Sequence, residues 1–416
     1  MSELKRRLMV IDTSYTYDMI VERDLYSSVT CRDLDGFFDH VWSVHPFASL
    51  LVSDETKEKY GNLEIHLIND SHTFIDGKVG RYKFLHWLPS VNFIISQIIL
   101  IFQLIFIIRK EKVNIIRVGG PLYVGVVGFL LAKLTNIPFL VRVGANYDKI
   151  YEVTQRPIEQ RLFRFRYVEK IVEKFIFSRA DMVAGANQNN LNFALQNGAS
   201  KDKSTIFRYG NLLDSVHFIE PNERNHFTDK TISKIFAGPS RVITYVGRLQ
   251  VEKHPEDVLE VFARVASTYA DVKLVMIGDG YLFKKLQETV QEKNLNERVF
   301  LVGNRNQDWL STVLSKSSIV LSPHTGRALI EAALALNGIV AYDVDWQGEI
   351  IRDGENGYLV NYRDLDAMFN STVTLLDNQN LLQEYAVRLR EDAMEMMSPS
   401  KLNAHEKNIY RSLINK

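Results

Sequence analysis

The chain has 416 residues, of which 46% are hydrophobic and 24% are charged, a composition typical of a soluble globular protein with two domains. Its 50 basic residues balance 50 acidic ones, and this net charge of +0 argues against a nucleic-acid binder with a broad basic surface. The single cysteine, Cys31, excludes an intramolecular disulfide and a cysteine-cluster metal site. It also fits a reducing, cytoplasmic location.

The first half of the chain alternates between strand and helix patterns, which predicts a parallel sheet with right-handed crossovers. Leu8 to Ile11 predicts the first strand, and this apolar run is too short for a secretory signal. Further strands are predicted at residues 63–68, 113–118, 138–143, 181–184 and 204–208, with helices at 124–134 and at about 157–177.

The segment from Val91 to Ile108 is almost wholly apolar and is long enough to span a membrane. It is interrupted by polar residues, among them Asn92, Ser96 and Gln97. A helix buried between a sheet and neighbouring helices gives the same pattern. Because the strand–helix alternation continues on both sides, we favour the buried helix over the membrane span.

Residues 156–174 interleave basic and aromatic side chains, a pattern that suits an anionic membrane surface or a lipid-phosphate acceptor. The same run contains Glu159, Glu169 and Glu173. These acidic residues favour the alternative, a long helix with a solvated charged face and a packed aromatic face. Peripheral contact at the inner face of a membrane is kept as an expected interaction of a cytoplasmic protein.

The alternation breaks between Leu212 and Arg241, where the chain is rich in Asn, Asp, Lys and Pro without a sustained period. It restarts with strands predicted at residues 242–246, 272–277, 299–302, 319–321, 339–342 and 358–360. The predicted organisation is a first domain at 1–215, a linker at 216–240, a second domain at 241–390 and a C-terminal helix at 391–416.

The stretch from Val246 to Lys253 lies where a buried strand ends and a helix is about to begin. Gly247 lets the chain turn sharply, and two cations follow it, Arg248 and Lys253. Ligands of open α/β sheets bind beyond the carboxyl ends of the strands, and two cations there suit a diphosphate. The alternative is an arginine and a lysine on a solvated loop.

Three later strands of this half also end in candidate ligand loops. Gly278-Asp279-Gly280 closes the second strand and Gly303-Asn304-Arg305 the third, although either sequence also suits a plain turn. After the fourth strand, Gly326 precedes an Ala-rich helix whose free N–H groups suit phosphate. Glu331 lies in the first turns of that helix, where it either accepts hydrogen bonds from a ribose diol or offsets the helix macrodipole.

This order of pieces, from about Ile243 to Val360, resembles the retaining glycosyltransferases of the GT-B fold, family four. The shared pattern is a Gly-Arg-Leu turn, a nearby Glu-Lys, a Gly-Asp-Gly turn, a late Glu-Ala helix and a closing Glu-Ile…Asn-Gly segment. The resemblance implies an α/β protein with two Rossmann-like, doubly wound domains that face each other across a cleft. It places the nucleotide sugar on the second domain and the acceptor on the first, to which the C-terminal helix returns.

The resemblance also implies roles for individual residues. Arg248 and Lys253 would bind the donor diphosphate, and Glu331 would hold the ribose. The implied donor-binding set is Gly247, Gly278, Asp279, Asn304, Arg305, Thr325, Gly326, Arg327, Ala328 and Leu329, with Asn304 and Arg305 near the base. No metal or other cofactor is expected, because the two cations and the helix N-terminus stabilise the leaving diphosphate.

One departure from the family pattern concerns a carboxylate. The family usually has two glutamates with seven residues between them, and counting back from Glu331 reaches Pro323, with His324 beside it. His324 is the candidate substitute, either as a cation near the phosphates or as a neutral partner of a hydroxyl. The alternative is that the backbone of Thr325-Gly326 holds the sugar unaided.

A second departure lies in the first half, where the histidine often found after a middle strand is absent. Arg142, Asn146 and Asp148 stand at that place. They are candidate acceptor-side groups, and a purely structural loop is the alternative.

The expected function is transfer of a hexosyl group from a nucleotide sugar to a glycan or lipid-linked acceptor, in surface polysaccharide or glycoconjugate synthesis. Arg248, Lys253, His324 and Glu331 are the expected catalytic residues. Because the first family glutamate is missing, one alternative is an inactive subunit that binds a nucleotide or a partner enzyme. Another is an epimerase or phosphorylase of the same architecture, although no lysine is placed as a cofactor Schiff base, which disfavours the phosphorylase.

Overall fold

The computed structural model describes residues 5–22, 24–51, 59–224, 227–324 and 326–415. The contacts between residues divide the chain into two compact units. The first unit comprises Met1–Leu212 and Pro399–Lys416, and the second comprises Leu213–Ser398. Each unit has its own β-sheet and its own hydrophobic core.

The first unit is an alternation of strands and helices with a mixed sheet. Its strands are β1 (Arg7–Ile11), β2 (His40–His45), β3 (Glu64–Asn69), β4 (His72–Asp76), β5 (Ile115–Val118), β6 (Phe139–Val143), β7 (Met182–Gly185) and β8 (Ser204–Ile206). Its α-helices before the second unit are α1 (Tyr17–Glu22), α2 (Tyr26–Thr30), α3 (Pro89–Lys110), α4 (Tyr123–Thr135), α5 (Tyr147–Thr154), α6 (Arg166–Phe177) and α7 (Gln188–Gln196).

The second unit follows the same plan. Its strands are β9 (Arg241–Val246), β10 (Val272–Ile277), β11 (Val299–Leu301), β12 (Ile319–Ser322), β13 (Gly338–Tyr342) and β14 (Tyr358–Val360). Its α-helices are α8 (Lys230–Ile235), α9 (Pro255–Thr268), α10 (Phe283–Glu292), α11 (Gln307–Lys316), α12 (Arg327–Leu334), α13 (Leu365–Asp377) and α14 (Gln379–Met397). The last helix, α15 (Pro399–Ile414), belongs to the first unit.

The sheet of the first unit has the strand order β3-β4-β2-β1-β5-β6-β7-β8. All neighbouring strands are parallel except β3 and β4, which are antiparallel. After β1 the chain first forms β2, β3 and β4, which all lie on one side of β1, and then crosses to β5 on the other side. The strand order therefore reverses between β1 and β5, and such a switch point is where ligands bind in open α/β sheets.

Alternating residues of β1 face two different layers of apolar side chains, as the period of a strand requires. Met9 and Ile11 pack in a cluster that includes residues of α3, α4 and α6. Leu8 and Val10 pack on the opposite face, in a cluster that contains Tyr410 of α15. Helix α15 thus covers one face of the sheet of the first unit.

The sheet of the second unit has the order β11-β10-β9-β12-β13-β14, and every neighbouring pair is parallel. Buried side chains of β9 pack against α9, where Val258, Val261 and Phe262 are fully buried. The order reverses between β9 and β12. The loops that follow these two strands, after Val246 and after Ser322, therefore meet at the switch point of this sheet.

The structure adds strands β2 and β4, which the sequence did not predict. Their sequences mix histidine, serine and threonine with apolar residues, so the strand pattern is weak. The polar side chains find partners inside the fold: Ser43 accepts a 2.9 Å hydrogen bond from Arg32, and Thr73 lies 2.9 Å from His40 Nε2. The antiparallel pairing of β3 with β4 likewise differs from the predicted all-parallel sheet.

The helix predicted from about residue 157 begins only at Arg166. Glu159 lies in the preceding turns, where its backbone N–H donates to Glu169 Oε1 at 2.8 Å and its Oε2 accepts from the N–H of Tyr123 at 3.1 Å. Glu159 thereby joins the starts of α4 and α6. These bonds to other elements outweigh continuation of the helix.

Residues 216–240 belong to the second unit in the structure, in contrast to the predicted linker. Arg224 is buried and donates to the carbonyl oxygen of Leu334 at 2.8 Å. The N–H of Phe227 donates to Thr312 Oγ1 at 2.9 Å. The predicted C-terminal helix at 391–416 is also divided, because α14 continues to Met397 and a new helix begins at Pro399.

Candidate active site

The turn that follows β10 contacts the turns that follow β9 and β11. Gly278 has φ +137°, and a Cβ at this position would lie 2.0 Å from the carbonyl oxygen of Gly247. Its N–H donates to the carbonyl oxygen of Gly303 at 3.0 Å. A side chain at Gly278 is therefore excluded both by the backbone conformation and by the close approach of β9 and β10.

The loop after Gly247 is fixed by its neighbours. The N–H of Leu249 donates to the carbonyl oxygen of Asp279 at 3.0 Å, and the carbonyl oxygen of Leu249 accepts from Leu282 at 3.0 Å. The hydroxyl of Tyr245 lies 3.1 Å from the carbonyl oxygen of Arg248 and 3.2 Å from that of Lys253. Both cations of the loop are thus held on ordered backbone.

Lys253 and His324 come together from the loops after β9 and β12. The Nζ atom of Lys253 lies 2.7 Å from Nδ1 of His324. Burial and the neighbouring Arg248 lower the pKa of Lys253 to about 8, while Glu252 and Asp345 act in the opposite direction. An ammonium group donates, so Nδ1 accepts and the hydrogen of a neutral His324 lies on Nε2.

Arg248 is in a different environment from Lys253. Its side chain is 64% exposed and lies 3.8 Å from Glu252 Oε1, one helical turn along the chain. The two cations predicted to bind a diphosphate are therefore unequal: Lys253 is fixed and partly desolvated, whereas Arg248 extends into solvent, from where it can fold over a ligand.

Helix α12 presents its N-terminus at the same switch point. Gly326 is extended (φ 162°) and precedes Arg327, the first helical residue. Glu331 lies one turn later and is buried. Burial raises the pKa of Glu331 to about 7, with Asp214 adding to the rise and Arg327 opposing it. Glu331 thus exchanges its proton near neutral pH.

Asp214 and His217 approach this helix from the residues around the predicted start of the linker. His217 is buried, and its Nε2 lies 2.8 Å from Gln307 Oε1. Burial lowers the pKa of His217. Asp214 opposes this shift, whereas Arg327 adds to it. Sequence reasoning missed these residues because their segment has no strand or helix period. The only local sign is the Asp214 N-cap, which accepts from Val216 at 3.0 Å.

The remaining predicted donor residues are placed as follows. Asn304 and Arg305 are exposed, and the Arg305 guanidinium lies 4.9 Å from the centre of the Trp309 ring. Asp279 Oδ1 accepts from the N–H of Gly280 at 2.7 Å, which stabilises the turn. Ala328 is half-buried and Leu329 is buried. Thr325 lies outside the described residues.

The closing Asn-Gly segment has a structural role in the described contacts. The side chain of Asn356 accepts from the N–H of Arg352 at 2.7 Å and donates to Asp392 at 2.7 Å. Asp345, in the same region, raises the pKa of Lys253 and thus opposes the effect of burial. The N–H of Asp345 donates to Gln347 Oε1 at 2.8 Å.

The three acceptor-side candidates of the first unit have distinct surroundings. Asn146 caps α5 by accepting from Asp148 and Lys149. Asp148 pairs with Arg166 at 2.8 Å and with Lys170 at 2.6 Å, so its carboxylate is already used within the unit. Arg142 is half-buried and donates to the carbonyl oxygen of Phe207 at 3.3 Å.

One group of described side chains has the spacing of metal ligands: Glu64, His66 and Asp76, on β3 and β4 of the first unit. Glu64 also pairs with Lys78. No such group occurs among the described residues of the donor loops. The cations predicted for those loops, Arg248 and Lys253, are present on the loop after β9.

Residues 228–396 match the family model for glycosyl transferases group 1. The whole chain superposes on HepE of Anabaena in complex with UDP with a TM-score of 0.70 at 16% identity, covering 98% of this chain and 100% of that one. The match shows a glycosyl transferases group 1 domain within the second unit, and the superposition shows the GT-B fold, as the residue pattern predicted.

Two relatives by sequence are the poly(ribitol-phosphate) alpha-N-acetylglucosaminyltransferase of Staphylococcus aureus and the N-acetyl-alpha-D-glucosaminyl L-malate synthase of Bacillus anthracis. The first is 23% identical over 55% of this chain, which spans about half (48%) of that protein. The second is 22% identical over 84% of this chain and 90% of its own length.

Proposed function

We propose that this protein transfers a hexosyl group from a uridine-diphosphate sugar to a glycan or lipid-linked acceptor in surface polysaccharide or glycoconjugate synthesis. The observation that carries the proposal is the Lys253–His324 pair at 2.7 Å, at the switch point where the N-terminus of α12 also lies. The superposition on a UDP complex supports uridine as the base, and the S. aureus relative supports a polymeric acceptor.

The leaving diphosphate is stabilised electrostatically in this proposal. Lys253 donates to a phosphate oxygen, the N-terminus of α12 faces the other phosphate, and Arg248 closes over both. His324 holds the Lys253 ammonium by accepting through Nδ1 and presents its Nε2 hydrogen to the sugar or phosphate. Reaction with retention of the anomeric configuration, without a metal or other cofactor, is part of the same proposal.

Glu331 takes the ribose in this arrangement. An ionised carboxylate accepts two hydroxyl hydrogen bonds, and such charge-assisted bonds are stronger than neutral ones. Burial disfavours the ionised form of Glu331 in the free protein. The ribose diol supplies the hydrogen bonds that stabilise that form when the donor binds.

The acceptor side is proposed to lie against a membrane surface through α3. By length and composition, α3 is the one helix among the described residues that is apolar enough to cross a membrane, yet one of its faces packs on the sheet through Leu100, Leu104 and Ile108. The packing of this inner face agrees with the sequence-based prediction of a buried helix. The outer face of α3 consists of exposed apolar residues: Val91, Ile94, Ile98, Phe102 and Phe106.

This outer face extends over the neighbouring helices of the same unit. Phe129 of α4 contacts Phe175 of α6 at 5.2 Å between ring centres, and Leu134 and Ile171 are exposed on these helices. Exposed basic residues occur on α3, α4 and α6 and in the segments that precede α3 and α6: Lys83, Arg109, Lys110, Lys133, Arg161, Arg164 and Lys174. An exposed apolar face together with exposed basic residues on the same helices suits the interface of an anionic bilayer.

The test is donor binding and turnover with the purified full chain against a panel of nucleotide sugars, by saturation-transfer NMR and by release of the nucleoside diphosphate. We expect binding of a uridine-diphosphate sugar and slow hydrolysis or transfer that survives EDTA. Binding without any turnover, also with membrane-extracted acceptors, would favour the inactive-subunit alternative. Turnover lost in EDTA and restored by Mn²⁺ would contradict the metal-free proposal.

A further inference from the structure

A second polar pocket lies wholly within the first unit, at the carboxyl ends of β1, β5 and β6. Its volume is about 190 Å³. It adjoins the point between β1 and β5 where the strand order reverses. The charged and hydroxyl side chains that line it include Asp12, Ser14, Arg32, Arg117 and Arg142.

Three guanidinium groups converge on this pocket. Arg32 donates to Ser43 Oγ and pairs with Asp12 Oδ2 at 2.8 Å, while Arg117 donates to the hydroxyl of Tyr410 at 3.3 Å. Arg32 is 7% exposed and Arg117 is 5% exposed. A guanidinium carries five N–H donors, so the bonds to protein fix the orientation of these groups and leave donors for a ligand.

Charge inside the pocket is unbalanced. Three arginines face Asp12 and, from α15, the buried Glu406. Neither carboxylate oxygen of Glu406 has a hydrogen-bond partner in the part of the chain that the structure describes. Burial raises the pKa of Glu406, although Arg142 and Arg117 oppose the rise. At least one buried positive charge therefore lacks a matching anion, and such a charge is costly until an anion binds.

Glycine at position 119 makes room for this arrangement. A Cβ at Gly119 would lie 2.6 Å from the Cβ of Asp12. The small residue thus lets the end of β5 approach the loop after β1, which places Arg117 beside the Asp12–Arg32 pair. A volume of about 190 Å³ is below the roughly 300–1,000 Å³ of pockets that take whole drug-sized ligands, so the pocket suits one anionic group.

We propose that Arg32, Arg117 and Arg142 bind an anionic group of the acceptor, a phosphate or a carboxylate, and thereby make this enzyme select acceptors that carry one. The inference rests on the proposed glycosyl transfer, since it assigns the acceptor to the first unit. Planar guanidinium forks match the oxygens of both groups, which is why arginine rather than lysine suits the site.

The experiment separates this pocket from the donor loops. Pyrophosphate and succinate are each titrated by calorimetry into the full chain that carries Lys253→Ala, so that the donor loops take up the anion only weakly. We expect saturable binding of one of the two anions, weakened about ten-fold or more by adding Arg142→Lys, which keeps the charge but removes the fork. Lys203→Gln, on the exposed surface of the same unit, is the control and should leave the affinity unchanged.

The outcomes are distinct. Tighter binding of pyrophosphate assigns a phosphate-bearing acceptor, and tighter binding of succinate assigns a carboxylate-bearing one. Binding of neither anion, or an affinity that Arg142→Lys leaves unchanged in correctly folded protein, overturns the proposal. The affinity for UDP is measured separately in the Arg142→Lys chain with Lys253 intact. A loss of UDP affinity in that chain would count against the assignment of the donor to the second unit. The proposal for the pocket of the first unit is decided by anion binding alone.

Discussion

Both units of this protein offer a site at the switch point of a Rossmann-like sheet, but they build it from different side chains. The second unit uses glycine turns, one lysine–histidine pair and a helix N-terminus. The first unit uses three arginines around Asp12, and its outer helices expose apolar residues. The family model matches only residues 228–396, which lie in the second unit.

This difference teaches where specificity lies. A diphosphate leaving group is common to enzymes that use nucleoside-diphosphate sugars, so the same short turns serve many of them. An acceptor is particular to each enzyme, so the loops that bind it vary. The first unit lies outside the match to the family model, and its buried charges line the pocket proposed for the acceptor.

The largest effect is expected from removing the cation of the second unit. Lys253→Ala should lower kcat/KM for the donor by about 10- to 150-fold, because a charge-assisted hydrogen bond contributes roughly 1.5–3 kcal/mol. Arg248→Ala should cost less, since that side chain is 64% exposed. Steady-state kinetics of both variants provide the measurement, and unchanged donor affinity in both would refute the diphosphate assignment.

The lowered pKa of Lys253 predicts that kcat/KM for the donor depends on pH. Lys253 has a pKa of about 8 in the folded protein, lowered by burial, so the ammonium form is present below pH 8 and is lost above it. The donor kcat/KM should fall on the alkaline side with this pKa. Lys253→Arg should move the fall to much higher pH, since a guanidinium stays charged. A profile identical in the two proteins would assign the limb to another group.

The next largest effect is expected from Glu331→Gln, which should lower the affinity for the donor but raise the stability of the fold. Glu331→Gln should weaken donor binding about ten-fold, because a charged acceptor becomes neutral. The raised pKa, about 7, means that ionisation of Glu331 costs stability as the pH rises from about 4.5 through 7. Glu331→Gln should therefore raise the free energy of unfolding at pH 8, by up to about 3 kcal/mol, and leave it nearly unchanged at pH 4.

Urea unfolding at both pH values and donor titration at pH 8 measure these changes. A Glu331→Gln protein that loses both affinity and stability at pH 8 would show that Glu331 supports the fold rather than the ribose. One that keeps full donor affinity would remove Glu331 from the site.

His324 is expected to act by positioning Lys253. His324→Ala should lower turnover roughly five- to ten-fold, because the ammonium loses its 2.7 Å acceptor. His324→Gln should restore part of the rate, since an amide oxygen can accept the same hydrogen bond. Single-turnover rates decide the matter. Parental turnover in the alanine variant would favour the alternative in which the backbone around Gly326 holds the sugar unaided.

The smallest effect concerns the outer face of α3. Phe102→Glu or Phe106→Glu should weaken binding to vesicles that contain phosphatidylglycerol by about five-fold, which corresponds to about 1 kcal/mol for an aromatic ring that inserts partly. Val387→Glu, at an exposed apolar position of the second unit, is the matched control. Vesicle sedimentation measures binding, and equal loss in the control would remove α3 as the contact surface.

Sequence reasoning predicted the loops of the proposed donor site because each is a local pattern. Gly247, Gly278 and Gly303 follow strands of strong apolar period, and these glycines lie in turns that contact one another through their backbones. The pairing of Lys253 with His324 was not predicted, because the two residues are 71 positions apart. Proximity of that kind depends on the order of strands in the sheet.

Dependence on contacts between distant residues also explains why the sequence did not predict the pocket of the first unit. From the sequence, Asp148 was a candidate group for acceptor binding, but in the fold its carboxylate pairs with Arg166 and Lys170. Arg117 is one charged residue inside an apolar strand, with no local sign of function. It becomes part of a site only because β5 lies beside β1 and because α15 returns with Tyr410 and Glu406.

The sequence by itself therefore determined the class of fold, the strands of the second unit and the loops that would meet a nucleotide sugar, since hydrophobic period and glycine turns are short-range properties. Only the tertiary structure decided which charged side chains share a pocket and which faces of α3 and α4 stay exposed. Those outcomes depend on contacts between residues distant in the chain, such as Arg117 with Tyr410, 293 positions later.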